Sequence, residues 1–182
     1  MSAYEGRNPA ALRSQALMMD ALDGLMREKG FQEITVSDIC RRAGVSRQTF
    51  YSLFGTKEGI LLRRLEASTD GQRHRDDGGA GITLKESCAR FAVYVEENYG
   101  LLRMLADNGL MGVMEDQVRR AMESCRLSYV NVDDEERAYA SGFAAAGLRA
   151  LAQRYVSEHE IPDKAEIAKL AYKLQSGSVF RG

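Results

Sequence analysis

The chain has 182 residues, room for one large domain or two small ones, and its 45% hydrophobic content is ordinary for a globular protein that buries a sizeable core. A formal net charge of −1 excludes a polyanion binder that works by bulk charge. Three widely separated cysteines, Cys40, Cys88 and Cys125, with no C-x-x-C pair, argue against a disulfide framework or a thiolate zinc site.

The same features set broad expectations. Only Pro9 and Pro162 occur, so long helices can run between them. Ala, Leu, Met, Arg and Glu are abundant and β-branched runs are scarce, which predicts an all-α fold. No apolar signal core and no run of membrane-spanning length appears, so the expected location is cytoplasmic, with no membrane partner. Charge is nearly even along the chain. Residues 1–66 hold 10 Lys+Arg against 8 Asp+Glu, and residues 67–182 hold 15 against 18. Any nucleic-acid contact must therefore come from local placement of charge.

In chain order, residues 1–8 read as a disordered arm. A first helix is predicted over Pro9–Lys29, with Leu12, Ala16, Met19, Leu22 and Met26 at helical spacing. Pro9 suits its first position, and Gly30 its exit. Thr35 caps a short helix over Val36–Ala43, with Asp38 completing an acidic capping box and Gly44 ending it. Ser46 caps the next, over Arg47–Phe54, and Gly55 follows. A fourth helix opens near Thr56 and Lys57 and turns Ile60, Leu61 and Leu65 inward. Residues 68–81 are polar and glycine-rich, and are expected to form a mobile loop at a domain boundary. Helical spacing returns with Leu84, Cys88, Phe91, Ala92 and Val95. Further helices are predicted over Asn98–Asn108, Gly109–Tyr129, Asp133–His159 and from Asp163 to Ser176 and Gly177. The count is about nine helices, with no persuasive strand.

Two short helices joined by a tight glycine turn make a helix-turn-helix pattern. Ile39, Ala43, Val45, Phe50 and Phe54 supply the apolar side that fixes the angle between them. With Phe50, Leu53 and Phe54 inward, a rotation of about 100° per residue puts Gln48 and Ser52 opposite, flanked by Arg47, Thr49 and Tyr51. That outer face is polar and free of carboxylates, as a major groove requires. Arg pairs with guanine O6/N7, Gln with adenine N6/N7, and Thr can offer its methyl to thymine. Thr35, Ser37, Tyr51 and Lys57 are placed as phosphate donors, with Ser46 at a helix start. Lys57 begins its own helix, where a cation is mildly disfavoured, so a phosphate partner would account for it. Thr35, Ser37, Ser46, Arg47, Gln48, Thr49, Tyr51, Ser52 and Lys57 are thus the candidate DNA-binding residues. The bland alternative is a structural helical hairpin with a solvated polar face.

Thr35, Val36, Asp38, Ile39, Ala43, Gly44, Val45, Ser46, Thr49, Tyr51, Phe54, Lys57 and Glu58 resemble, in register and without gaps, the DNA-binding signature of the TetR family of transcriptional regulators. The resemblance covers roughly residues 10–65. It implies an all-α dimer with an N-terminal three-helix helix-turn-helix DNA-binding domain plus a C-terminal helical bundle that senses a ligand and dimerises. Phe50 stands where the family often has leucine, and Arg41 and Arg42 are more basic than usual. The expected division is residues 9–55 for the DNA-binding domain, 56–67 for a connecting helix and 84–178 for sensing and dimerisation. The expected function is a repressor that binds a palindromic operator as a dimer and is released by an unknown small-molecule effector. A rival has the same fold controlled by a protein partner.

The remaining features carry weaker signals. Residues 136–156 are dense in Ala, Gly and Ser, which allow close helix approach. The candidate dimer interface joins Ala138, Ser141, Gly142, Ala145 and Leu148 to Ile167, Leu170 and Leu174 of the last helix, the alternative being a packing seam within the chain. The region resembles a TetR subgroup that includes the regulator of dihydroxyacetone kinase. Phe91, Tyr94, Tyr99, Met104, Met111 and Met114, with Met122 nearby, are a candidate ligand pocket. Ordinary core packing is the competing account of each. Arg103, Asn108 and Glu115 are the polar groups nearest in sequence. His74 and His159 lack metal-ligand spacing and read as solvated, and Cys40 as a small packing residue. No catalytic set, metal cluster or cofactor motif appears, so neither an enzyme nor a cofactor is expected.

Overall fold

A computed structural model describes residues 8–73, 82–124 and 133–179. Among them are nine α-helices and one 3-10 turn, with no β-strand. The chain divides into two units, residues 1–64 and 65–182.

The first unit opens with α1 (Pro9–Met26), capped by Asn8, whose Oδ1 accepts from Ala10 N–H at 3.0 Å. Helix α1 stops a turn short of the predicted Lys29. The N–H groups of Glu28 and Lys29 both converge on the Leu25 carbonyl, at 3.0 Å each, and tighten the exit into a turn. The 3-10 turn Phe31–Glu33 follows, a feature the apolar periodicity did not signal, and sinks Phe31 into the core. Helices α2 (Val36–Ala43) and α3 (Arg47–Leu53) come next, then the start of α4 (Lys57–Arg73). The core gathers Met18, Leu22, Phe31, Ile34, Ile39, Phe50, Ile60 and Leu61, all at most 1% exposed. Arg64 pairs with Asp23 of α1, and burial raises the Asp23 carboxyl above its ordinary range while Arg64 and Arg27 oppose the shift.

Residues 68–73 belong to α4 and not to the expected loop. One glycine among polar residues costs a helix only about 1 kcal/mol, too little to end it. The rest of that expected loop, with His74, lies outside the described residues, as do most of the N-terminal arm and Cys125.

The second unit holds α5 (Leu84–Glu97), α6 (Tyr99–Asp107), α7 (Met111–Ser124), α8 (Asp134–Glu158) and α9 (Lys164–Gln175). Capping boxes start α5, through Thr83 and Glu86, and α8, through Asp133 and Glu136. Helix α7 begins at Met111 because Gly109, with φ of 69°, ends α6 in the left-handed conformation. Residues 125–129, placed by the sequence in the same helix, are outside the described set. Helix α5 packs on α9 and α7 on α8, with Leu102, Leu105, Met114, Ala145, Ala152, Val156, Ile167 and Ala171 completely buried.

His159 is not the free surface residue expected from sequence. Its ring stacks on Tyr155 with centroids 4.0 Å apart, and its Nδ1 lies 3.0 Å from the Tyr155 carbonyl. Tyr99 Oη donates to the His159 carbonyl at 2.7 Å, and Tyr155 Oη accepts from Asp163 N–H at 3.1 Å while donating to Glu166 at 3.0 Å. This network fixes the turn between α8 and α9. No described helix is long and apolar enough to cross a membrane, and the described residues hold no group of three or more metal-ligating side chains.

Candidate nucleic-acid interface

The short helices α2 and α3 are held by caps as much as by packing. Thr35 Oγ1 accepts from Asp38 N–H at 3.1 Å, and Asp38 Oδ2 accepts from Thr35 N–H at 3.1 Å and from Thr35 Oγ1 at 2.8 Å. Lys29 Nζ reaches the same carboxylate oxygen at 3.0 Å, and Arg41 takes the other at 2.6 Å. The Lys29 bond, followed by those from Thr35, holds the Asp38 carboxyl far below the usual range.

Gly44 takes φ of 66°, a conformation that costs other residues about 1–2 kcal/mol. It lets Val45 N–H return to the Cys40 carbonyl at 3.0 Å and reverses the chain within three residues. Ser46 Oγ then accepts from Thr49 N–H at 3.1 Å to start α3. Phe50 and Leu53 are buried, and the Phe50 ring packs edge-on to Tyr51 at 5.3 Å and against Phe54 at 6.2 Å.

Pinned on that side, α3 turns its other side outward. Ser46, Arg47, Gln48, Tyr51 and Ser52 are exposed, and Thr49 is half-buried with its hydroxyl 2.8 Å from Ser46 Oγ. Thr35 is exposed at the start of α2, and Ser37 is half-buried behind it. Arg47 donates to Ser37 Oγ, which draws these two predicted residues together. The side chains of Gln48 and Ser52 make no hydrogen bond with described residues. The extra basic residues are both engaged: Arg41 with Asp38, and Arg42 with Glu28 at 2.6 Å. Such exposed pairs are weak and exchangeable, worth about 0–1 kcal/mol.

Lys57, expected at a phosphate, has partners inside the protein. Its Nζ donates to the carbonyls of Phe31 at 2.9 Å and Ile34 at 2.6 Å, and stands 4.5 Å from the centre of the Phe31 ring. The cation at a helix start is thus accounted for inside the protein, by two carbonyls and an aromatic face. No phosphate is needed to explain it.

Sequence reasoning also missed Gly59. A side-chain carbon there would stand 2.2 Å from the Phe54 carbonyl oxygen. Only a bare backbone lets the first turn of α4, capped by Thr56 Oγ1 on Gly59 N–H at 3.1 Å, lie against the end of α3. The signal was present as a glycine three residues after a capping threonine, where most helices have a side chain.

In the second unit, Phe91, Tyr94, Met111 and Met114 are buried, and Tyr99 and Met104 half-buried. Of the predicted interface residues, Ser141, Ala145, Leu148 and Ile167 are buried within the chain's own packing, which corrects their assignment to a surface. Ser141 Oγ is also satisfied locally, by the Ala138 carbonyl at 3.0 Å. Ala138, Leu170 and Leu174 are exposed and Gly142 is half-buried. Beside them Tyr139 and Phe143 are 73% and 83% exposed, two aromatic residues that sequence reasoning did not select.

The first unit is a helix-turn-helix module: two short capped helices around a left-handed glycine, supported by α1 and α4. Residues 19–63 match the family model described as bacterial regulatory proteins, tetR family. The first unit therefore carries a TetR-type helix-turn-helix. The chain is 41% identical over 58 residues to the HTH-type transcriptional regulator AlkX of Mycobacterium tuberculosis, a match covering 30% of this chain and 28% of AlkX. The chain therefore spans under a third of the length of that relative. Similarity of fold extends much further. A TetR transcriptional regulator from Rhodococcus sp. RHA1 superposes with a TM-score of 0.57 at 18% identity, covering 90% of this chain and 96% of the other. The dihydroxyacetone kinase operon activator DhaS does so at 0.55 and 18% identity, covering 92% and 96%.

Proposed function

We propose that the chain is a cytoplasmic DNA-binding transcriptional regulator. It works as a homodimer, each subunit laying α3 in a major groove of a palindromic operator, and a small-molecule effector taken up by the second unit releases the DNA. The observation that carries this reading is the outward edge of α3: Arg47, Gln48, Tyr51 and Ser52 are exposed with no carboxylate among them, on a helix anchored by Phe50 and Leu53. Gln48 and Arg47 have the donor and acceptor patterns that read adenine and guanine. Thr35, Ser37, Ser46 and Thr49 cluster at the two helix starts, where hydroxyls and helix dipoles suit phosphate. Arg47 leaves Ser37 for a base or phosphate at little cost. Lys57 acts one step back, holding α4 to the segment before α2.

Two half-sites about 34–36 Å apart call for two copies of α3. The surface proposed to join them is the exposed apolar strip of the second unit: Tyr139 and Phe143, one turn apart on α8, with Leu170 and Leu174, one turn apart on α9. A phenylalanine this bare beside a bare tyrosine suits an interface better than water. Repression is the proposed sign. The similar fold of DhaS carries the name of an activator, so the architecture serves either sign, and a reporter gene behind the operator decides.

The test is selection of bound duplexes from a randomised pool. Enrichment of a two-part palindrome is expected. Gln48→Ala should relax preference at one base pair per half-site by about 1–3 kcal/mol while leaving binding to random DNA intact. A folded protein that enriches no duplex overturns the proposal.

A further inference from the structure

Tyr94 is the one side chain among the described residues with a buried polar atom and no hydrogen-bond partner. It sits on α5, 4% exposed, with its ring 6.5 Å from that of Phe91. Buried phenol hydroxyls almost always find a partner, and a donor left without one forfeits a hydrogen bond that water supplied in the unfolded chain. Orphaned donors are less tolerated than under-used acceptors, so what the site lacks is an acceptor. Burial pushes the phenol's pKa up, so it remains a donor at any ordinary pH.

The buried side chains of this unit restrict the acceptor's charge. The other buried polar side chains of this unit are Asn98, Gln117 and Ser141, all neutral. Asn98 Nδ2 is occupied by the Tyr94 carbonyl at 2.8 Å. No Asp, Glu, Lys or Arg is buried there among the described residues. The half-buried ion pair Arg149–Glu115, at 2.7 Å, is already neutralised within itself. An ionised ligand would have to give up its hydration with no counter-charge to replace it.

We infer that the effector is a neutral, largely apolar molecule that presents one oxygen acceptor, of the ketone, ester or ether kind, to Tyr94 Oη. This inference rests on the proposal that the second unit takes up an effector. It adds what that ligand must be, and identifies Tyr94 as the residue that selects for its oxygen.

The test uses the full chain and its Tyr94→Phe variant, which loses only the hydroxyl. The probes are the methyl ketones from 2-heptanone to 2-undecanone, with alkanes and carboxylates of matching length. Binding is read by melting temperature and calorimetry, and release of the selected operator by fluorescence anisotropy. Ketones should bind the wild type about tenfold tighter than alkanes, the worth of one hydrogen bond, and carboxylates should bind more weakly still. Tyr94→Phe should lose the ketone preference, binding ketones no better than alkanes, and without ligand should melt no lower than the wild type. The inference is overturned by a clearly lower melting point of unliganded Tyr94→Phe, which would mean that the hydroxyl has a partner. It is equally overturned if carboxylates bind best, if the variant keeps the ketone preference, or if no ketone binds. Ketone binding that depends on Tyr94 but leaves the operator bound would uphold the ligand site at Tyr94 and overturn the claim that its ligand is the effector. Release by a charged ligand alone would overturn the inference and leave the proposed function standing.

Discussion

Lys57→Met keeps the apolar stem of the side chain and removes the ammonium, isolating what the two carbonyl bonds contribute. Each hydrogen bond from a charged donor is worth about 1.5–3 kcal/mol net, and the lower end applies because the group is half-buried and water can reach it. The contact over the Phe31 ring adds about 0.5–1 kcal/mol. Removing a cation from a helix start returns about 0.3–1 kcal/mol. The expected loss is therefore about 2–4 kcal/mol. It is measured by urea unfolding followed by far-UV circular dichroism, since the chain has no tryptophan to report. A second measurement separates this role from a phosphate contact. The slope of log affinity for DNA against log salt should stay as in the wild type, whereas losing one phosphate contact would reduce it by about 0.9. A stability change under about 0.5 kcal/mol together with a shallower slope would refute the assignment of Lys57 to the protein's interior.

Other expectations follow from single contacts. Gly59→Ala drives a carbon into the Phe54 carbonyl and should destabilise the first unit by about 1–3 kcal/mol, where helix propensity alone would stabilise it; a rise in melting temperature would show that α4 shifts freely. Phe143→Asp should change subunit stability by no more than about 0.5 kcal/mol, because the ring is exposed, yet weaken a dimer built on it by about 2 kcal/mol or more; unchanged mass by light scattering on dilution would remove Phe143 from the interface. The depressed Asp38 carboxyl contributes stability that is present above its unfolded pKa, about 3.9, and lost as pH falls below it. Asp38→Asn should accordingly melt below the wild type at neutral pH and approach it as the medium is acidified below about pH 4. A gap that stays constant would mean that the charge of Asp38 contributes nothing.

What the sequence disclosed was local. Thr35 with Asp38, Ser46 with Thr49 and Asp133 with Glu136 are pairs three residues apart, and their hydrogen bonds follow from spacing alone. The outward face of α3 is a matter of rotation about one axis, and it is equally legible. Contacts between distant segments were not. Lys57 meets carbonyls 23 and 26 residues earlier, and nothing in its own neighbourhood announces them. Gly59 looked neutral because its neighbour is a carbonyl and not a side chain. The small residues of α8 invited two readings, packing within the chain or between chains. Periodicity cannot separate these, because both need a flat surface. Burial decided for the first at Ser141 and Ala145, and the exposed aromatic residues beside them took over the proposed second role.

The division of labour around α3 has a consequence for how such a protein changes over generations. Its seven residues divide their tasks: Phe50 and Leu53 are buried in the fold, while Gln48 and Ser52 are exposed. On the proposed function, a substitution at either polar position leaves folding almost untouched and alters what is recognised. After a gene duplication, one copy could drift to a new target in single steps without passing through an unstable intermediate.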